Sequence, residues 1–133
     1  SDVCSSDLNF MFILSMEWLK KEEDILYNSQ FFLDDTGVLL GTYRKVHLFD
    51  SEKNYFTPGD QFKVFNTKIG RIGLFICYDA FFPEAARSLA IQGVDLLVNS
   101  TNWEKPYDYD IAKQMKHDYY TMLTERRPDV YIA

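Results

Sequence analysis

"GLFICYDAFFPE", residues 73–84, is the stretch on which the fold turns. An apolar run ends on Cys77, Tyr78 and Asp79 follow as a polar pair, and two aromatics lead to Pro83-Glu84. From there "PEAARSLAIQG" (83–93) has helix grammar. Pro83 sits near the first helical position, Glu84 favours the positive end of the helix dipole, and Gly93 stops the run. Ala85, Ala86 and Leu89 fall on one face. "RIGLFICY" (71–78) before it and "VDLLVNS" (94–100) after it read as buried strands. Strand, helix, strand is an α/β layout with parallel neighbours. Cys77 is then either a small core hydrophobe or a nucleophile held where a central strand hands over to a helix. The free N–H groups and partial positive charge of a helix N-terminus would favour a thiolate there.

Working outward, "FMFILSM" (10–16) is a strand candidate. "ILYNSQFFL" (25–33), "DDTG" and "VLLGTYRKV" (38–46) predict a hairpin with its turn at 34–37. The hairpin-rich first half is expected to add antiparallel neighbours, so the sheet is read as mixed. "HLFDSEKNYFTPGD" (47–60) reads as a long irregular loop, and loops of that length in compact domains are usually functional. "QFKVFNT" (61–67) is a further strand. "IAKQMKHDYYTMLTER" (111–126) is amphipathic, with Ile111, Met115, Tyr119, Met122 and Leu123 at helical spacing. Pro128 stops it, and "VYIA" starts another strand.

Composition narrows the classes. The 133 residues suit one domain. A net charge of −6 gives no footprint for nucleic acid and argues against an anionic membrane surface. No apolar run approaches the roughly 18 residues of a membrane span. The two cysteines, Cys4 and Cys77, make neither a disulfide framework nor a zinc spacing, and they point to a reduced, cytoplasmic setting. Residues 1–8, "SDVCSSDL", resemble translated adapter sequence and are expected to be a non-native tail. Residues 9–133 are read as a partial domain, cut at both ends.

Several residues could carry chemistry beside Cys77. Lys45 ends a hairpin strand and enters the long loop, where Glu52 lies; taken singly, each reads as a solvated surface group. His47 could pair with Cys77 as a base. His117 lies on the polar side of the last helix. Asn102 and Trp103 follow the 94–100 strand, at the same sheet edge as Cys77, where an amide could hydrogen-bond a substrate and an indole could wall a pocket.

The joint pattern is more specific than any member. "YRKVHLF", Glu52, "FTPGD" and "IGLFICYDAFFPEAARSLAIQGVDLLVNSTNW" together closely resemble the nitrilase, or carbon–nitrogen hydrolase, family. The resemblance runs from about Leu26 to the C-terminus. It implies an αββα sandwich that hydrolyses non-peptide C–N bonds. By motif Cys77 matches the nucleophile, Lys45 the lysine and Glu52 the additional acidic residue. His47 belongs to the lysine motif and is not the base. The implied chemistry is attack by the thiolate on an amide, carbamoyl or nitrile carbon, a thioester or thioimidate intermediate, and release of ammonia. A glutamate shuttles the protons. Lys45 and the backbone N–H of Tyr78 stabilise the oxyanion. No metal or organic cofactor is implied.

The family's base glutamate lies well upstream of the lysine. Glu17, Glu22 and Glu23 fall before "LYNS", and none is promoted to that role. After "CYD", Ala80 and Phe81 stand where many relatives carry an arginine, which weakens a dicarboxylate-monoamide substrate. "EKNYFTPGD" and "FFPEAAR" resemble the N-carbamoyl amine branch more. "LTERRPDVYIA" departs from the family pattern at Arg127 and Pro128. The competing expectations are a catalytically inactive interaction module of the same fold and a same-fold acyl transferase. Dimers or higher homo-oligomers are implied, with the 111–126 helix as a contributor.

Overall fold

The computed structural model describes residues 25–101, together with the backbone of the strands Phe12–Met16 and Tyr131–Ile132. Two sheets lie face to face. The first is wholly antiparallel, in the order β1 (Phe12–Met16), β2 (Ser29–Leu33), β3 (Leu39–Arg44). The second is mixed, with β4 (Val64–Thr67), β5 (Gly70–Ile76), β6 (Leu96–Ser100) and β7 (Tyr131–Ile132) in that order. In it β4 runs antiparallel to β5, and β6 and β7 run parallel to it. The helix α1 (Pro83–Ile91) makes the crossover from β5 to β6.

The first half does supply the antiparallel neighbour of the mixed sheet, but through β4 and not through the 25–46 hairpin. The hairpin builds a sheet of its own. The alternation of side chains explains why. Gln30 and Phe32 on β2, with their register partners Tyr43 and Gly41 on β3, form one face of the hairpin. Phe32, Tyr43 and Gln30 are fully buried. That face needs a second apolar layer, and β5 offers one. All residues from Ile72 to Ile76 are buried, so β5 is covered on both sides. Phe32 meets Phe65 of β4 with ring centroids 5.3 Å apart, and Gln30 Nε2 donates across to Ser100 Oγ at 2.8 Å.

The other face of β5 receives α1. A Cβ on Gly73 would lie 3.1 Å from Leu89, Leu97 and Val94 alike, so the missing side chain lets the helix settle onto the strand. Ala85, Ala86 and Leu89 are fully buried, the face the spacing predicts. Gly41 serves the opposite contact: a Cβ there would run into the Phe65 ring. The described layers are thus sheet, sheet and helix, three of the four in an αββα sandwich.

Strand ends moved inward from their expected bounds. β2 begins at Ser29, β4 at Val64, and β5 stops at Ile76, one residue before Cys77. The loop at 47–60 is not wholly irregular, because Asp50–Asn54 forms a short 3₁₀ helix. The 111–126 helix, and with it His117 and any part in assembly, lies outside the described residues. Among those residues no helix is long and apolar enough to cross a membrane.

Candidate active site

Lys45 leaves the end of β3 and is only 2% exposed. Burying an ammonium is costly unless it is paired and hydrogen-bonded. Its backbone is held on both sides: the Lys45 N–H donates to the Asn28 carbonyl, and its carbonyl accepts from Gly59 N–H, each at 2.8 Å. Its Nζ donates to Glu52 Oε2 at 2.7 Å and Oε1 at 3.0 Å. The 3₁₀ helix at 50–54 presents that carboxylate, and the Phe49 N–H just before the helix donates to Glu52 Oε2 at 2.6 Å. Asn28 Nδ2 donates to Oε1 at 2.9 Å. Glu52 is therefore no solvated loop residue. It is bonded on both oxygens and fixes the lysine head.

Burial alone would raise the Glu52 carboxyl. The Lys45 ammonium, the Phe49 N–H and the Asn28 amide outweigh it and hold the group below its ordinary 4.5. A carboxyl whose folded value is depressed adds stability that is complete above its unfolded value and lost as pH falls through the folded one. Protonated Glu52 is close to an isostere of glutamine. The stability gap between wild type and Glu52→Gln should therefore be largest near neutrality. It should shrink steadily below pH 4.5 as urea midpoints are followed into acid. A gap that stays constant into acid would show that the pair adds nothing.

Cys77 follows β5 directly and opens a second 3₁₀ helix, Cys77–Phe81. The N-terminus of α1 lies at Pro83, where the sequence placed it, and the 3₁₀ helix fills the interval between the strand and α1. Cys77 adopts φ +43°, a left-handed conformation that costs a residue with a Cβ of order 1 kcal/mol or more. Such strain persists only where the surroundings over-determine it. Tyr78 stands in the first turn, whose leading N–H groups have no acceptor within the helix.

Asp79 sits at the centre of this arrangement and is fully buried. Its Oδ2 accepts from Tyr43 OH at 2.7 Å and from Ile76 N–H at 3.0 Å. Its Oδ1 accepts from His47 N–H at 2.8 Å and lies 3.0 Å from His47 Nδ1. With Asp79 ionised, a hydrogen bond here requires the form of the ring that carries its proton on Nδ1. Burial, then the negative charge of Asp79, raises the Tyr43 hydroxyl above its ordinary value, so it stays a donor. His47 is thus engaged by Asp79, and its ring stacks on Phe82 at 3.7 Å between centroids. This bonding takes it away from the role of partner to Cys77 that residue type alone allowed.

An aromatic group covers the same turn. Tyr78 lies 5.0 Å from Phe49, 5.1 Å from Phe81 and 5.2 Å from Phe82, centroid to centroid. Phe81 therefore packs on Tyr78, where the sequence pattern would have allowed a cation. Asn102 and Trp103 lie outside the described residues, as do Glu17, Glu22 and Glu23. Two residues that the sequence reading passed over have clear places: Asn28, which bonds Glu52 and the Lys45 backbone, and Asp79. The signal for Asn28 was a polar run, Asn28-Ser29-Gln30, set between apolar residues. The signal for Asp79 was a carboxylate between aromatics.

Comparison with known proteins shows what the chain as a whole is similar to. The chain is 46% identical over 99 residues to a probable nitrilase of Schizosaccharomyces pombe, covering 73% of this chain and 36% of that protein. It is 44% identical over 94 residues to an N-carbamoylputrescine amidase of Solanum lycopersicum, covering 67% and 31%. The chain thus spans about a third of the length of these relatives. Among solved structures it superposes on a carbon–nitrogen hydrolase from Helicobacter pylori G27 with a TM-score of 0.68. The identity is 30%, over 88% of this chain and 41% of that one. It also superposes on an amidase of Nesterenkonia sp. AN1 that carries the acetamide moiety of fluoroacetamide on its active-site cysteine. There the TM-score is 0.70 and the identity 25%, over 75% and 38%. The sequence profile of the carbon–nitrogen hydrolases matches residues 7–122, and the chain belongs to that family.

Proposed function

We propose that the full-length protein carrying this segment hydrolyses a non-peptide C–N bond, of an amide or an N-carbamoyl amine, with Cys77 as nucleophile. The observation that carries the reading is the left-handed Cys77 at the end of β5, bonded through its own turn to the segment that presents a buried Lys45. The Cys77 sulfur attacks the substrate carbon and its proton passes to a glutamate outside the described residues. Glu52 is committed to Lys45, Asn28 and the Phe49 N–H, which makes it the orienter of the lysine and not that base. The Lys45 ammonium and the Tyr78 N–H face the developing oxyanion. The C–N bond breaks as the glutamic acid returns its proton to the leaving nitrogen, and ammonia departs. Water, deprotonated by the same glutamate, then cleaves the thioester and frees the acid and Cys77. The relatives named for carbamoyl and amide substrates support the substrate class.

The test is to trap the intermediate. The full-length protein is mixed with propionamide, quenched in acid within the burst phase, digested and weighed. An acyl mass on the peptide containing Cys77 is expected. Turnover with the acyl mass on another residue, or with none, would remove the reading.

A further inference from the structure

Asp79 bonds four donors, and the places of those donors are informative. Three of them belong to Tyr43 and His47, which flank Lys45 two residues before and two residues after. On the other side, Ile76 and Asp79 itself bracket Cys77. One carboxylate therefore ties together residues on both sides of Lys45 and of Cys77, through the backbone of Ile76 and His47 and the hydroxyl of Tyr43. It does so with no solvent exposure, across 32 to 36 residues of sequence and between the two sheets. A buried charge of this kind stabilises poorly compared with a well-packed apolar side chain, so stability alone does not account for it. All its partners are donors. A carboxylate meets them with two acceptor atoms, while a carboxamide would turn an N–H₂ group against two of them.

We propose that Asp79 is a positioning residue that fixes Cys77 relative to Lys45 and holds the left-handed turn at Cys77. The proposal rests on the reading of Cys77 as nucleophile. Asp79 touches no substrate in this account. It acts through Ile76 N–H on the strand end that leads to the thiol, and through Tyr43 and His47 on the strand end that carries the ammonium. Loss of the clasp lets the Cys77 backbone relax to an ordinary φ. A displacement of about 1 Å at a reacting atom costs on the order of 10²-fold in rate.

The test uses the full-length protein and two readouts. One is the rate of Cys77 alkylation by iodoacetamide, mapped by peptide mass so that any other cysteine is counted apart. The other is the split of kcat against KM with an amide substrate. Asp79→Asn should slow alkylation and lower kcat by about 10²-fold, with KM within about twofold. Tyr43→Phe keeps the ring and removes one bond, and should lower both by about tenfold. Leu97→Ala, in the core of β6 and outside the clasp, should lower the unfolding midpoint and leave both rates of the folded protein unchanged. If Asp79→Asn does not fold, Tyr43→Phe decides. A folded Asp79→Asn protein, or failing that Tyr43→Phe, with wild-type alkylation and kcat overturns the positioning role and leaves Cys77 as nucleophile. A wild-type Cys77 that reacts no faster than a free small thiol overturns the nucleophile reading, and the positioning role with it.

Discussion

Cys77→Ala in the full-length protein is expected to lose turnover by about four to six decades, as removal of a covalent nucleophile does in enzymes that act through one. The fold should survive. Cys77 is partly buried against the core, and alanine removes one sulfur atom without adding a polar group or a clash. The φ of +43° strains alanine as it strains cysteine, so backbone cost is nearly matched between the two. Ammonia release from propionamide and from an N-carbamoyl amine gives the rate, and circular dichroism with a thermal midpoint gives the fold. Parent-like ammonia release from a folded Cys77→Ala protein would return Cys77 to the core and leave the buried Lys45–Glu52 pair without a reaction to serve.

Lys45→Met is the second large effect. Its expected cost falls on kcat, by roughly two to three decades, because a charge opposite the developing oxyanion acts mainly in the transition state. Lys45→Arg should not rescue it, since a planar fork cannot replace a point charge seated on both Glu52 oxygens in a pocket with 2% exposure. The geometry adds a control. Lys45→Met strands the Glu52 carboxylate beside Asn28 and the Phe49 N–H without its cation, so stability falls as well. Lys45→Met with Glu52→Gln removes both charges. The double variant should regain thermal midpoint over Lys45→Met while kcat stays low. A double variant that recovers both would mean that the loss came from a deformed pocket and that Lys45 has no role at the oxyanion.

Much of this was legible in the chain. "PEAARSLAIQG" carries its helix in every position: proline at the start, acid in the first turn, small apolar residues on one face and glycine after the end. α1 lies at Pro83–Ile91 accordingly. Lys45, Glu52 and Cys77 were singled out through the resemblance to the family's motifs. Residue type alone would have left Lys45 and Glu52 in solvent, because their burial comes from each other and from Asn28, 24 residues away from Glu52. Asp79 stayed hidden for a related reason. A carboxylate in a turn is usually solvated, and nothing local announces that Tyr43 and His47 will reach it from the other sheet. The 3₁₀ helices at Asp50–Asn54 and Cys77–Phe81 are too short to impose a period on the sequence. The division into two sheets was legible only through the family resemblance. Alternation says which residues share a face, but two hairpin strands look the same whether they extend a sheet or stack upon one.

The left-handed backbone at Cys77 sets foldability against chemistry at a single position. Glycine, or asparagine at some cost, would sit there with less strain than any thiol. Selection for folding alone would therefore drain cysteine from position 77, and a consensus drawn from inactive copies of the fold would lose it first. Position 73 pulls the other way: glycine there serves packing under α1 and is wanted whether or not the protein reacts. Two sites four residues apart on one strand and its exit thus record different histories. Under the proposed function, one is kept by the need to be a protein, and the other by the need to be an enzyme.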